Sequence, residues 1–428
     1  MDAVFDLAAV VVVLAAVFGY LNHRLLKLPH TIGLVVVAMA ISLVLLAVDA
    51  VWPVLGIGAT VRGFVASIEF SETLMQGLLS FLLFAGALHV DLSALVKRSK
   101  AIFAIAILGT LLSTFLIGGG TWLVVQGLDL GVPLIFCLVF GALIAPTDPV
   151  AVLGILKRVK VPPTLEAKIA GESLFNDGVA IVVFSVLAGL ATGAGGHSEV
   201  DAGGIAVFFL VEAVGGAALG LVTGFIAFKL LKSVNEHNLE VLITLALVMG
   251  TFALSDLIHV SGPIAMVCAG LLIGNIGTRF AMSETTREHT TSFWSLIDEI
   301  LNSVLFLIIG FEVVAISGAL GYVELGLIAI PMVLVARLIS VSLPIWGLKW
   351  LGGTFTPGAI RIMTWGGLRG GISVALVLSL PPSPEREVLL TACYIVVVFS
   401  IVVQGLSMEW VVRRLLKTGG AEGENREG

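Results

Sequence analysis

Charge is what this sequence has least of. Asp, Glu, Lys and Arg make up 12% of its 428 residues, about half the share found in soluble domains. Hydrophobic residues make up 58%, and the mean hydropathy is +1.11. This composition excludes an ordinary soluble enzyme, a disordered chain and a nucleic-acid binder. Cysteine is nearly absent: Cys137, Cys268 and Cys393 each lie in an apolar run, and an odd number of dispersed thiols makes neither a disulfide framework nor a zinc site. The seven histidines fall in loops or near the ends of apolar runs, so no metal cluster is expected in the interior. Neither a Walker phosphate loop nor a Gly-x-Ser-x-Gly elbow occurs, so no cofactor is expected. A membrane-embedded enzyme would have no nucleophile, base or metal to work with.

Long apolar runs are what the chain has in abundance. Thirteen can be marked, at 3–22, 31–48, 73–90, 101–125, 133–156, 166–192, 204–231, 239–257, 263–277, 293–315, 322–348, 358–380 and 388–412. Crossing a bilayer takes about 20 apolar residues, and each run reads as a spanning helix. A β-barrel would instead alternate over segments of about ten residues. The fold class expected is therefore an all-α polytopic membrane protein. Asp2 and Asp6, rather than a basic stretch, stand at the start of the first run, so it is expected to be a retained helix and not a cleaved signal.

Basic residues give the orientation. With loops numbered alternately from outside, nineteen of the 23 Lys and Arg fall on one side, only Arg62 and Arg386 on the other, and Arg337 and Arg369 within spans. One missed helix would reverse every later loop and destroy that asymmetry. The N-terminus is expected outside and the C-terminus in the cytoplasm of a multi-pass protein of the cell (inner) membrane. Residues 1–412 read as one transporter domain, residues 49–72 as a surface helix or re-entrant turn, and 413–428 as a short, disordered cytoplasmic tail.

Ionisable groups inside a membrane span default to function, and three places stand out. In span 5, Pro146 and Pro149 flank Thr147 and Asp148. Neither proline has an N–H, so the carbonyls of Ala142 and Ala145 lose their helical partners. Such carbonyls are tolerable in a membrane where they line a cavity, and together with Thr147 and Asp148 they suit a hard monovalent cation. A capped kink is the structural alternative. In span 6, Glu172, Ser173, Asn176 and Asp177 occupy six residues of an apolar helix. The spacing stacks Glu172 on Asn176 and Ser173 on Asp177, about 6 Å apart along the axis. In span 11, Arg337 lies alone among apolar residues and needs a carboxylate. Glu172 is the expected partner, in a structural ion pair that leaves Asp177 for an ion. Span 12 adds a glycine-rich stretch, Gly366, Gly367, Gly370 and Gly371 around Arg369, expected to be unwound or closely packed.

Lesser features have structural readings. Gly216, Gly220 and Gly224 follow Glu212 along span 7 as a helix-packing ridge. Asp298, Glu299 and Glu312 lie near the ends of span 10 and are expected at the interface. Spans 1–6 and 8–13 make two six-helix units joined by span 7. Separation by seven inverts them, and the interrupted spans, 5 and 12, are the fifth of each.

Thr147-Asp148-Pro149-Val150-Ala151, the run Gly171 to Gly178, the mid-span Arg337 and Gly367-Leu368-Arg369-Gly370 together resemble the monovalent cation:proton antiporter-1 family, which includes the NhaP-type sodium/proton antiporters. The resemblance covers nearly the whole chain. It implies thirteen helices in a homodimer, with spans 1–3 and 8–10 on the dimerisation side and spans 4–6 and 11–13 in a mobile core. It implies that Asp177 binds sodium or lithium and a proton in turn, beside Asn176 of the family's Asn-Asp pair. Ser173 and Thr147 resemble further sodium ligands, Asp148 a second acid, Glu172 and Arg337 the stabilising pair, and Arg369 an auxiliary group. One position departs: where some relatives place an ion-binding glutamate in span 3, this chain has Ala85.

The mechanism expected is competition at one carboxylate. Asn176 is neutral and takes no second proton, so one cation exchanges for one proton and no net charge crosses. Potassium/proton exchange stays open, because ligand types alone do not fix ion size. A cation channel could share the acidic cavity, although the two interrupted helices favour alternating access.

Overall fold

The computed structural model describes residues 3–52, 72–89, 104–148, 163–192, 202–316, 320–350 and 358–424, with Gly63, Val152 and Val159. Most of the 49–72 segment lies outside them. All the regular structure among the described residues is helical, as a chain that must satisfy its own backbone in lipid requires. Each of the thirteen expected spans carries helix: Ala3–Leu21, His30–Val51, Glu72–Leu88, Gly109–Gly127, Leu134–Ile144, Pro163–Thr192, Ala202–Ser233, His237–Leu257, Gly262–Leu272, Glu284–Ile316, Val323–Trp350, Ala359–Trp365 with Gly371–Leu378, and Pro384–Phe399. Among the described residues, nine helices are long and apolar enough to cross a membrane.

Local chemistry sets the helix ends. Ser261 and Ser383 cap spans 9 and 13, accepting hydrogen bonds from the backbone N–H of Ile264 (3.4 Å) and Arg386 (3.1 Å), each with a proline in the first turn. Between spans 1 and 2 the buried Asn22 closes the turn. Its side chain donates to the Leu28 carbonyl (3.1 Å) and accepts from the Leu28 N–H (3.2 Å), while Lys27 takes φ 56°.

Packing divides the chain into two compact units. The first comprises Met1–Ser71, Leu112–Pro162 and Asn302–Gly428. In it, spans 4 and 5 touch at backbone distance. A Cβ on Gly118 would stand 2.8 Å from the Leu138 Cα, and one on Gly141 would collide with the Thr114 carbonyl. The Ser113 hydroxyl donates to that of Ser340 (2.8 Å), joining span 4 to span 11. Gly326 lies against Ile395, joining span 11 to span 13.

The second unit comprises Glu72–Leu111 and Pro163–Leu301. The glycine ridge expected on span 7 is present. Gly216 and Gly220 press on the carbonyls of Ser261 and Ala265, and a Cβ on Gly224 would meet the Ala269 Cα at 3.3 Å, so spans 7 and 9 pack backbone to backbone. The other side of span 9 meets span 3, where a Cβ on Gly270 would stand 2.8 Å from the Phe84 carbonyl. Trp294 is fully buried. Its indole N–H donates to Thr244 (3.0 Å) and its ring lies 4.7 Å from that of Phe84, tying spans 3, 8 and 10 together.

One expectation is corrected and one side chain is placed more closely. The tail does not turn irregular at 413, because the last helix runs Gly405–Glu424. Arg413 pairs with Glu409 one turn earlier, at 2.7 Å, an arrangement that supports continued helix. Glu312 is not solvent-facing: it is only 2% exposed, covered by protein.

Candidate functional site

In the first unit, both glycine- or proline-interrupted spans are broken, and the breaks meet. The helix of span 5 ends at Ile144, and Pro146, Thr147 and Asp148 follow without helical structure. Span 12 stops at Trp365, runs irregularly through residues 367–370 and resumes at Gly371. Across this meeting point the Asp148 N–H donates to the Leu368 carbonyl (2.7 Å). The Arg369 guanidinium returns the contact, its Nη1 donating to the carbonyls of Ala145 and Pro146, the latter at 2.8 Å. Arg369 is 1% exposed and Thr147 likewise; Asp148 is half-buried.

The glycines of span 12 are what allow this approach. A Cβ on Gly370 would stand 2.7 Å from an Asp148 carboxylate oxygen, and one on Gly367 would stand 2.6 Å from the Arg337 Nε. Contacts that close leave no room for a side chain at either position. A cavity of about 10 Å³ adjoins the break and is lined by Arg337, Thr364, Arg369 and Gln404 among others.

The Ala145 carbonyl was expected to be bare and to face an ion. It is instead engaged by Arg369, a cation supplied by the opposing break. A guanidinium can satisfy two carbonyls from one nitrogen, so the Ala145 carbonyl, freed by Pro149, is answered by protein together with that of Pro146. Arg369, expected as an auxiliary group, is the bridge of this crossing.

In the second unit, span 6 is an unbroken helix from Pro163 to Thr192. Glu172, Ser173, Asn176 and Asp177 are all buried, between 1% and 3% exposed. The expected stacking of Glu172 and Asn176 is realised as a hydrogen bond, the Asn176 amide donating to Glu172 Oε1 at 3.1 Å. One amide N–H of Asn176 is thus committed to Glu172. Asp177 lies on the adjoining row of the same helix. Ala85, also in this unit, is fully buried, and its carbonyl is 2.7 Å from the His89 imidazole Nδ1.

Arg337 belongs to the first unit, in the middle of the Val323–Trp350 helix, and is 4% exposed. Among the described residues no group of three or more His, Cys, Asp or Glu could hold a metal ion.

Sequence reasoning passed over Ser400, Gln404 and Ser407. Span 13 widens into one π-helical turn at Ser400–Gln404 beside the span 12 break. The Ser400 hydroxyl accepts from the Arg369 N–H (2.8 Å), the Gln404 amide donates to the Trp365 carbonyl (3.0 Å), and the Trp365 indole donates to Ser407 (3.0 Å). The signal was available: polar residues at 400, 404 and 407 mark one face of an otherwise apolar helix.

Comparison with known proteins places this chain among relatives. The model of a family described as "Sodium/hydrogen exchanger, transmembrane" matches residues 12–414. The Na(+)/H(+) antiporter NhaP of Pseudomonas aeruginosa is 45% identical over 414 residues, covering 96% of each chain. The Na(+)/H(+) antiporter NhaH of Halobacillus aidingensis is 34% identical over 400 residues, covering 92% of this chain and 93% of its own. Among solved structures, the sodium proton antiporter MjNhaP1 of Methanocaldococcus jannaschii superimposes with a TM-score of 0.75 at 20% identity, over 97% of this chain and 99% of that one. That likeness shows a shared fold.

Proposed function

Because the chain belongs to the sodium/hydrogen exchanger family, we propose that it is an antiporter exchanging one sodium or lithium ion for one proton across the cell membrane by alternating access. The observation that carries this reading is Asp177, a carboxylate 3% exposed in the middle of an apolar helix. A buried charge in a membrane span is costly and persists where it serves ion or proton passage. The named relatives are sodium/proton antiporters, which supports sodium as the cation.

In this reading Asp177 holds a cation or a proton, never both. Ser173 and Thr147 complete the sodium site, Asp148 acts as a second acid close to it, and Asn176 stays neutral. The hydrogen bond from Asn176 to Glu172 supports that division of labour. It gives Glu172 a partner within its own helix and separates it from the exchanging acid. Glu172 and Arg337 form the structural ion pair, and Arg369 holds the broken helices. With one titrating carboxylate, occupied states carry equal charge, so exchange is electroneutral. The protein works as a homodimer in the lipid bilayer, N-terminus outside and C-terminus in the cytoplasm. Spans 1–3 and 8–10 form the dimerisation side and spans 4–6 and 11–13 the moving core. It is a transporter, not an enzyme, and needs no cofactor.

The test is proton flux in proteoliposomes under an imposed ΔpH, with sodium, lithium or potassium added. Sodium and lithium should discharge the gradient, and Asp177→Asn should abolish the response while the protein still folds. Full activity of D177N would defeat the assignment. A response to potassium alone would replace the cation.

A further inference from the structure

Span 13 has no assigned part in binding, yet it holds the backbone of the span 12 break at two points. Ser400 and Gln404 are 1% and 3% exposed, within a span otherwise rich in Val, Ile and Leu. Both lie in the π-helical turn Ser400–Gln404, a local widening that recurs where a helix has been adapted to a site. The break leaves backbone groups of span 12 without helical partners, and in an apolar surrounding each must be met by protein. Ser400 meets one: its hydroxyl accepts the Arg369 N–H at 2.8 Å. Gln404 meets another on the far side of the break, donating to the Trp365 carbonyl at 3.0 Å. The residues between these two anchors include Gly367, against which Arg337 lies, and Leu368, whose carbonyl receives the Asp148 N–H.

We infer that Ser400 and Gln404 are positioning residues for cation exchange, fixing the span 12 break so that Arg369 and Leu368 hold Thr147 and Asp148 in the geometry that binds the ion. The connection is continuous. Ser400 fixes the Arg369 backbone, the Arg369 side chain fixes the carbonyls of Ala145 and Pro146, and the next two residues of that break are Thr147 and Asp148. On the other side Gln404 fixes Trp365, whose indole is itself tied to Ser407 on the same face. Neither residue reaches the ion. Each acts through the backbone it holds, and a loosened break misplaces ligands without removing any. The inference rests on the antiporter reading above.

The experiment compares wild type, Ser400→Ala, Ser400→Thr and Gln404→Met in proteoliposomes, recording apparent sodium KM, maximal rate and the pH profile of exchange. Thermal stability is measured on the same preparations. Loss of one anchoring hydrogen bond should raise the sodium KM about tenfold and displace the pH profile, with a smaller change in maximal rate. S400T keeps the hydroxyl and should restore the wild-type KM. Q404M keeps the volume and removes only the bond to Trp365, so it carries the test if S400A does not reconstitute. Variants with the wild-type KM and pH profile, whatever their stability, overturn the inference, because a merely structural contact would lower only the folded amount. A wild type that exchanges no cation for protons overturns the antiporter reading as well, which separates the two failures.

Discussion

Two regions of this protein hold charge inside apolar spans, and they do it by opposite means. In the first unit, spans 5 and 12 give up helix. Their freed carbonyls and N–H groups are satisfied by the Arg369 guanidinium, by the backbone of the opposing break and by Ser400. In the second, span 6 keeps its helix from Pro163 to Thr192 and stacks its polar side chains one turn apart, Asn176 on Glu172. The broken region spends its polar groups on itself. Its cation is permanent, because arginine stays protonated, and its glycines leave no slack at Asp148 or Arg337. The intact region carries Asp177, the acid proposed to take up cation and proton in turn. One unit thus holds a fixed charge in a break, and the other holds carboxylates on an intact helix.

The largest effect that would break this comparison is at Arg369. Arg369→Ala leaves the Ala145 and Pro146 carbonyls buried without their donor, at about 1–3 kcal/mol each. A marked fall in melting temperature together with lost exchange is expected. A stable and active R369A would show that the breaks need no bridge. Arg369→Lys, which keeps the charge but not the planar fork, should fall between.

A smaller and more selective effect is expected at Asn176. Asn176→Asp adds a second titrating group beside Asp177 and turns the 3.1 Å bond to Glu172 into a contact between carboxyl groups. Some stability should be lost, and surviving exchange should become driven by an imposed membrane potential. Exchange in N176D that ignores the potential would mean that residue 176 does not set the stoichiometry.

Much of this organisation was legible beforehand, and the reason is physical. Lipid leaves a chain few options, so apolar runs gave all thirteen spans, each carrying helix among the described residues. Pro146 and Pro149 announced one break, and the glycines around Arg369 the other. The Glu172 to Asn176 contact followed from helical spacing alone. What could not be read was how the breaks are satisfied, because the partner of a freed carbonyl is chosen by tertiary packing. Arg369 is 223 residues from the Pro146 carbonyl it engages. The π-helical turn at Ser400 was hidden for the same reason, since nothing local in Ser-Ile-Val-Val-Gln requires it. The burial of Glu312 was hidden too, because distance from a span's end says little about which neighbours cover a side chain.

In the exchange proposed for this protein, sodium and a proton exclude each other at residue 177. Counting protons released per sodium bound, by calorimetry of purified protein in buffers of different ionisation enthalpy, tests it without transport. Near the pH at which half the sites are protonated, sodium binding should release protons in proportion to the protonated fraction, and D177N should bind no sodium and release none. Sodium binding to wild type with no proton release at any pH would contradict the account.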